Sequence, residues 1–146
     1  MKDEKTKIRK IQNQDLDFVY KAICELEKEI LDFEVFEMIF NENISNPKNL
    51  YLIAENKNEG LGFISFHTQN LLHHCGLVGE IQEFFIHQKY RGQGVGRLLI
   101  NEILDFAEKN GLKSIEVTTN KKRVENVAIY ESLGFRLSHN KFTIYK

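Results

Sequence analysis

Apolar residues recur along this chain with two periods, every second and every third or fourth position, and the switches between them mark its elements. TKIRKI, residues 6–11, reads as a first strand. Asn13 suits the N-cap of a helix whose apolar positions Leu16, Val19, Tyr20, Ile23, Leu26 and Ile30 keep the helical period. Phe33, Phe36, Phe40 and Ile44 mark a second helix near 33–44, which Asn46-Pro47 breaks. LYLIAEN and LGFISFHTQ flank KNEG and predict a β-hairpin. A longer strand covers about 77–87. Leu98, Leu99, Ile103, Phe106 and Ala107 share one face of a helix over 96–110 that stops at Gly111. SIEVTT, 114–119, alternates as a strand. Residues 123–133 read as a helix ended by Gly134, and FRLSHNKFTIY as a final strand. The order is βααβββαβαβ, a mixed α/β fold with helices packed on one sheet.

Length and composition narrow the class without naming a chemistry. The 146 residues suffice for one domain, 1–146, around a single core. Charged residues make up 28% and hydrophobic ones 42%, the balance of a folded rather than a disordered chain. A net charge of −1 supplies no global field to recruit nucleic acid or a membrane. The N-terminal stretch MKDEKTKIRK is charged and no apolar run reaches bilayer length, so a cytoplasmic protein is expected. Cys24 and Cys75 make no disulfide framework and read as free thiols in a reducing compartment.

Candidate chemistry gathers around RGQGVG, 91–96, between the long strand and the helix that follows it. Glycines let a backbone approach an anion closely, and free N–H groups at a helix start point toward it. A P-loop needs Gly-x-x-x-x-Gly-Lys-[Ser/Thr], which is absent, and a dinucleotide fingerprint needs glycine where Arg97 stands. The pattern that remains is Arg91-x-x-Gly94-x-Gly96; a tight glycine turn with no ligand is its alternative. Glu80 and Glu83 lie in the strand before the loop, on opposite faces if the strand alternates without a bulge. Lys121, Lys122 and Arg123 follow SIEVTTN at a helix start, either an anion site or a solvated basic turn. His67, His73 and His74 could donate to an anion, or hold a divalent ion with a carboxylate, but they lack zinc-site spacing and no residue is assigned to a structural metal. By period alone Tyr130, one turn after Asn126, is a core aromatic.

Arg91-x-x-Gly94-x-Gly96 resembles the acetyl-CoA loop of the GNAT superfamily of acetyltransferases. In that family the loop amides bind the coenzyme's pyrophosphate, which implies that role for Arg91, Gly92, Gln93, Gly94, Val95, Gly96 and Arg97. ENVAIYESLGF, 125–135, looks like the family's fourth-helix motif. Asn126 would then touch the pantetheine arm, and Tyr130 would protonate the departing thiolate. The family's splayed strand pairs its backbone with pantetheine, at positions that fall on Phe84, Phe85 and Ile86. An ammonium cannot attack a thioester until something takes its proton. Glu80 matches the position where several members keep their base, and Glu83 ranks second.

VYKAICELEKEILDFEVF, LLHHCGLVGEIQEF, the glycine loop, TTNKKR and SHNKFTIYK together resemble the aminoalkylphosphonate N-acetyltransferases over nearly the whole chain. The resemblance implies acetyl transfer from acetyl-CoA to a small primary amine, an aminoalkylphosphonate, in a ternary complex. Thr119, Lys121, Lys122 and Arg123, with His67, His73 or His74, would read the phosphonate, unless the basic turn clamps the coenzyme's own phosphates. A divalent ion bridging the phosphonate stays open, as does a homodimer; nucleic-acid and membrane partners are not expected. The competing readings are acetylation of another small amine or of a protein amine, and a non-catalytic acyl-CoA-binding module. An acyl-enzyme on Cys75 is disfavoured, because the adjacent His74 points the other way on a strand.

Overall fold

The computed structural model describes residues 5–146; Met1–Glu4, the start of the charged N-terminal stretch, lie outside the described residues. Five strands, β1 (Lys7–Lys10), β2 (Asn49–Asn56), β3 (Glu59–Leu71), β4 (Gly76–Ile86) and β5 (Ile115–Val117), form one sheet in the order β1-β2-β3-β4-β5. The first four pair antiparallel and β4–β5 is parallel, so the sheet is mixed, as the element order predicts. A parallel pair needs a crossover, and α3 (Val95–Lys109) supplies it. Helices α1 (Leu16–Glu27), α2 (Phe33–Ser45) and α4 (Val124–Ser132) complete the set. Among the described residues no helix is long and apolar enough to cross a membrane.

Alternation along the strands builds two cores. Leu50, Leu52, Ala54, Ile64, Phe66 and Ile81 face α3 and pack on Val95, Leu99, Ile100 and Ile103. Tyr51, Ile53, Phe63 and Phe85 face the other way and pack on Val19, Ala22 and Phe40 of α1 and α2. Gly79 is required where β4 crosses Phe66, since a Cβ there would lie 1.9 Å from the ring.

β4 carries a bulge. Glu83 pairs with Ser65 and Ile81 with Phe66, so Gln82 has no counterpart in β3. The extra residue restores a shared face to residues three apart. Glu83 opposite Ser65 and Glu80 opposite His67 therefore both point to the α1/α2 side, together with Tyr51, which pairs with Ser65. The same residue marks where β5 leaves β4, since the last β4–β5 pair is Ile81–Val117.

Several sequence expectations are corrected. Asn13 does not cap α1: a 3₁₀ turn, Asn13–Asp15, precedes it. There Asp15 accepts the Gln12 N–H at 2.8 Å and two bonds from Arg9, at 2.8 and 2.9 Å, and Arg9 also grips Glu55 on β2. α1 ends at Lys28 in a left-handed turn, which leaves Ile30 outside the helix and exposed. The final strand does not form. Residues 136–146 are exposed and have no regular structure.

Candidate active site

A polar cluster occupies the α1/α2 side of the sheet, where β3 and β4 meet beneath the end of α2. Its placement follows from the register: Asn49 pairs with His67 and His67 with Glu80, so β2, β3 and β4 each contribute a side chain in line. Tyr51 Oη and His67 Nε2 share a 2.8 Å hydrogen bond, and Asn43 Nδ2 donates to the same phenol at 3.0 Å. Ser65 Oγ donates to Glu83 Oε1 and accepts the Glu83 N–H at 2.9 Å, which locks that carboxylate to β3. Glu80 is held more loosely. It accepts from Gln82 Nε2 at 3.4 Å and from Thr118 Oγ1 at 3.3 Å, and it opens on a cavity of about 320 Å³.

Burial sets the protonation of this cluster. It pushes the Tyr51 phenol up to about 12, helped by the Glu83 charge and opposed by hydrogen bonds with Asn43 and Ser65. It lowers the His67 imidazole below its ordinary value, while the charges of Glu83 and Glu80 pull the other way. Near neutral pH the ring is uncharged and the phenol keeps its proton.

Glu80, His67, Glu116, Lys48, Asn43, Asn46 and Asn49 line the cavity together, so carboxylates, an imidazole, an amine and amides share one space. Lys48 owes its position to backbone bonds rather than to its side chain. Its N–H is taken by Asn46 Oδ1 at 2.9 Å, and its carbonyl accepts both the N–H and the hydroxyl of Thr68. The backbone of Lys48 is thereby fixed at the rim of the cavity that Lys48 lines.

The coenzyme elements lie along the open edge of β4. Beyond Ile81 no strand among the described residues covers that side. His87 turns its N–H to β3, bonding Leu61 O at 2.8 Å, so alternation turns the backbone of Phe84 and Ile86 to the open edge. Phe85 is brought instead into the core under α1. Arg91 Nε donates to Ile86 O at 3.0 Å and pins the loop against the strand. Gly92 and Gly94 adopt φ of +77° and +85°, which other residues reach only with strain. Open space lies above both, so an anion can come close. The first bond of α3 runs from the Leu98 N–H to Gly94 O, leaving the Val95, Gly96 and Arg97 N–H groups as free donors. These features fit a pyrophosphate beside the loop and an extended amide arm along Phe84 and Ile86.

The remaining predicted residues spread around this edge. Asn126 Nδ2 donates to Thr119 Oγ1 at 2.9 Å and ties the start of α4 to the strand end. Tyr130 is half-buried against Phe135; burial raises its phenol, and the Arg123 charge acts the opposite way. Arg123 reaches Leu26 O at 3.1 Å, while Lys121 and Lys122 stay exposed; none of the three lines the cavity. His73 and His74 sit in the 3₁₀ turn Leu72–His74, their rings 4.4 Å apart, with His74 Nε2 3.9 Å from Glu116. Of the predicted histidines only His67 lines the cavity. Among the described residues no three His, Cys, Asp or Glu side chains are grouped to hold a metal ion. Lys48, Asn43, Asn49, Tyr51 and Ser65 carry no motif; pairing LYLIAEN with LGFISFHTQ in register would have placed Tyr51, Ser65 and His67 on one face.

Comparison with known proteins identifies the family and the fold. The family model for the acetyltransferase (GNAT) family matches residues 13–135. An aminoalkylphosphonate N-acetyltransferase from Salmonella typhimurium is 37% identical over 136 residues, covering 93% of this chain and 88% of the relative. A crystal structure of a transcriptional regulator from Bacillus halodurans C-125 superposes with a TM-score of 0.89 at 24% identity, covering 97% of this chain and 100% of that one. Glucosamine-6-phosphate N-acetyltransferase from Arabidopsis thaliana follows the same fold at a TM-score of 0.81 and 21% identity, over 97% and 99% of the two chains. With a mixed sheet, an open β4 edge and a glycine loop at the start of α3, the chain belongs to the GNAT acetyltransferase family and is an acetyl-CoA-dependent N-acetyltransferase.

Proposed function

We propose that the acceptor is an aminoalkylphosphonate, acetylated directly in a ternary complex. The carrying observation is the mixed lining of the cavity: carboxylates, an imidazole, a lysine and three asparagines around a space sized for a small zwitterion. An ammonium is attracted to Glu80, and a phosphonate finds Lys48 and amide donors. The 37% identical relative supports the same reading.

The residues then divide the chemistry. Glu80 takes the proton from the acceptor ammonium, directly or through one water, and passes it to solvent. The freed nitrogen attacks the thioester carbonyl and the C–S bond breaks; the thiolate takes the proton of Tyr130, and the second proton that the nitrogen sheds on becoming an amide restores the phenol through solvent. The raised Tyr130 phenol is protonated over the working range, as an acid must be. Glu83, already held by Ser65, orients the cluster rather than meeting the amine. Phe84 and Ile86, with Asn126, line the arm of the coenzyme, and residues 91–97 hold its pyrophosphate. Lys121, Lys122 and Arg123, outside the cavity, fit the coenzyme side better than the acceptor side.

A thiol-release assay tests the substrate. A phosphonate carries nearly two charges near neutral pH and a carboxylate one. Turnover at low concentration should fall from 2-aminoethylphosphonate to β-alanine to propylamine, with and without a chelator. Lys48→Ala should raise KM for the phosphonate by about 10-fold or more, the scale of a charge-assisted hydrogen bond, and leave propylamine unchanged. Faster turnover of a polyamine or a peptide N-terminus than of any phosphonate would overturn the substrate while leaving the acetyltransferase in place.

A further inference from the structure

A chain of hydrogen bonds fixes which nitrogen of His67 carries the proton. Its first link is Asn43, on the last turn of α2. Asn49 Nδ2 donates to Asn43 O at 3.1 Å and ties that turn to β2. Asn43 Nδ2 in turn donates to Tyr51 Oη at 3.0 Å. An amide N–H only donates, so the phenol accepts there and its single proton is left for a second partner. Two groups stand near it. Ser65, its partner across the β2–β3 pair, is occupied: its Oγ donates to Glu83 Oε1 and accepts the Glu83 N–H. His67 Nε2 lies 2.8 Å from the phenol oxygen. The phenol, pushed up to about 12 by burial, keeps its proton and directs it at Nε2. Nε2 is therefore the lone-pair nitrogen, and in the neutral ring the proton sits on Nδ1.

The direction of this chain decides what the ring can recognise. An ammonium needs an acceptor, and an oxyanion needs a donor. The ring lines the cavity while the buried Tyr51 does not, so its Nε2 edge turns to the core. Among the described residues no protein group is bonded to Nδ1. We infer that His67 binds the anionic group of the acceptor through Nδ1–H, and that Asn43 and Tyr51 are the positioning residues that set this tautomer. The inference rests on the reading of the acceptor as a small amine that carries an anion. A neutral donor suits the place. A charged ring would pair with Glu80, its cross-strand neighbour, and compete with the ammonium for that carboxylate. The neutral ring leaves Glu80 to the amine and adds a directed N–H to the charge of Lys48.

Two measurements on the full chain test this. Nitrogen-15 NMR in mildly alkaline solution, without substrate, reads the tautomer directly. In the wild type Nδ1 should carry the proton and Nε2 should show the shift of a bare, hydrogen-bonded nitrogen. Tyr51→Phe should turn this into a mixture of tautomers. Kinetics then read the use of the ring. Tyr51→Phe should raise KM for 2-aminoethylphosphonate about 5-fold more than KM for propylamine, the scale of one neutral hydrogen bond. His67→Asn, whose amide stands where Nδ1 was, should keep the preference for the phosphonate better than His67→Gln, whose amide stands where Nε2 was. Equal preference in the two variants, both folded by circular dichroism, overturns the inference. An Nε2–H ring in a wild type that prefers the phosphonate overturns it alone. An Nδ1–H ring in a wild type that prefers propylamine defeats the acceptor reading, and this use of the ring with it.

Discussion

His67 shows how the residue scale governs the site. It faces Glu80 across the β3–β4 pair and shares a hydrogen bond with Tyr51, yet burial outweighs both carboxylates and its pKa is lowered. Removing either carboxylate removes a pull in the opposite direction, so Glu83→Gln and Glu80→Gln should each move the His67 midpoint further down. Ring-carbon NMR titration reads this directly; an upward shift would mean that the carboxylates do not face the ring. The same two variants separate in catalysis. If Glu80 is the base, Glu80→Gln should lower turnover by roughly 10²–10⁴-fold, and least at high pH where more amine arrives deprotonated. Tyr130→Phe should lower turnover with little change in coenzyme affinity, as expected of an acid that acts only after binding. Equal turnover of wild type and Tyr130→Phe from pH 6 to 9 would remove Tyr130 from the reaction.

At the scale of elements the bulge at Gln82 decides what the carboxylates can do. It turns Glu80 and Glu83 to one face, and it lies one residue past the last β4–β5 pair, where the edge opens. Deleting Gln82 keeps the register on both sides but removes the local bend. The fold should survive by circular dichroism while acetyl-CoA binding weakens by about 10-fold, or about 1.4 kcal/mol; unchanged affinity in calorimetry would show that the bend is not needed. Gly94→Asp acts at the neighbouring element by strain at φ +85° and by charge, and should abolish measurable coenzyme binding in a folded protein. The strands and helices themselves were legible, because alternation and the 3.6-residue period report directly on which side chains reach a core. The glycine loop was legible for a related reason: left-handed turns select glycine. The bulge was not, since one extra residue leaves the local pattern intact and shows only against β3. Lys48 and Asn43 were not legible either, being brought to His67 by the β2–β3 register and the end of α2 rather than by any spacing. The tail was read as a strand from composition, which is silent about whether an edge is available.

For the whole molecule the acid limb of stability follows from two groups, Asp15 and His67. Asp15 is buried, which raises its pKa, but hydrogen bonds from Arg9 and the Gln12 N–H, with the Arg9 charge, outweigh burial and hold it below the ordinary carboxylate value. In the unfolded chain it takes a proton near 3.8, in the fold only lower, so its contribution is complete above that range and is lost as pH falls through the folded value. His67 works in a higher window. Its folded pKa is lowered, so the unfolded chain binds a proton at 6.5 that the fold declines, and stability falls as pH drops below 6.5 until the folded ring also protonates. Denaturant midpoints should therefore decline in two stages on acidification. His67→Asn should flatten the upper stage and leave the lower one. Asp15→Asn should cost about 1–3 kcal/mol at neutral pH by releasing Arg9 from the turn that joins β1 to α1, and should flatten the lower stage. An Asp15→Asn protein with the wild-type midpoint at pH 7 would show that Glu55 alone holds Arg9, and that the junction between the first strand and the first helix does not depend on this carboxylate.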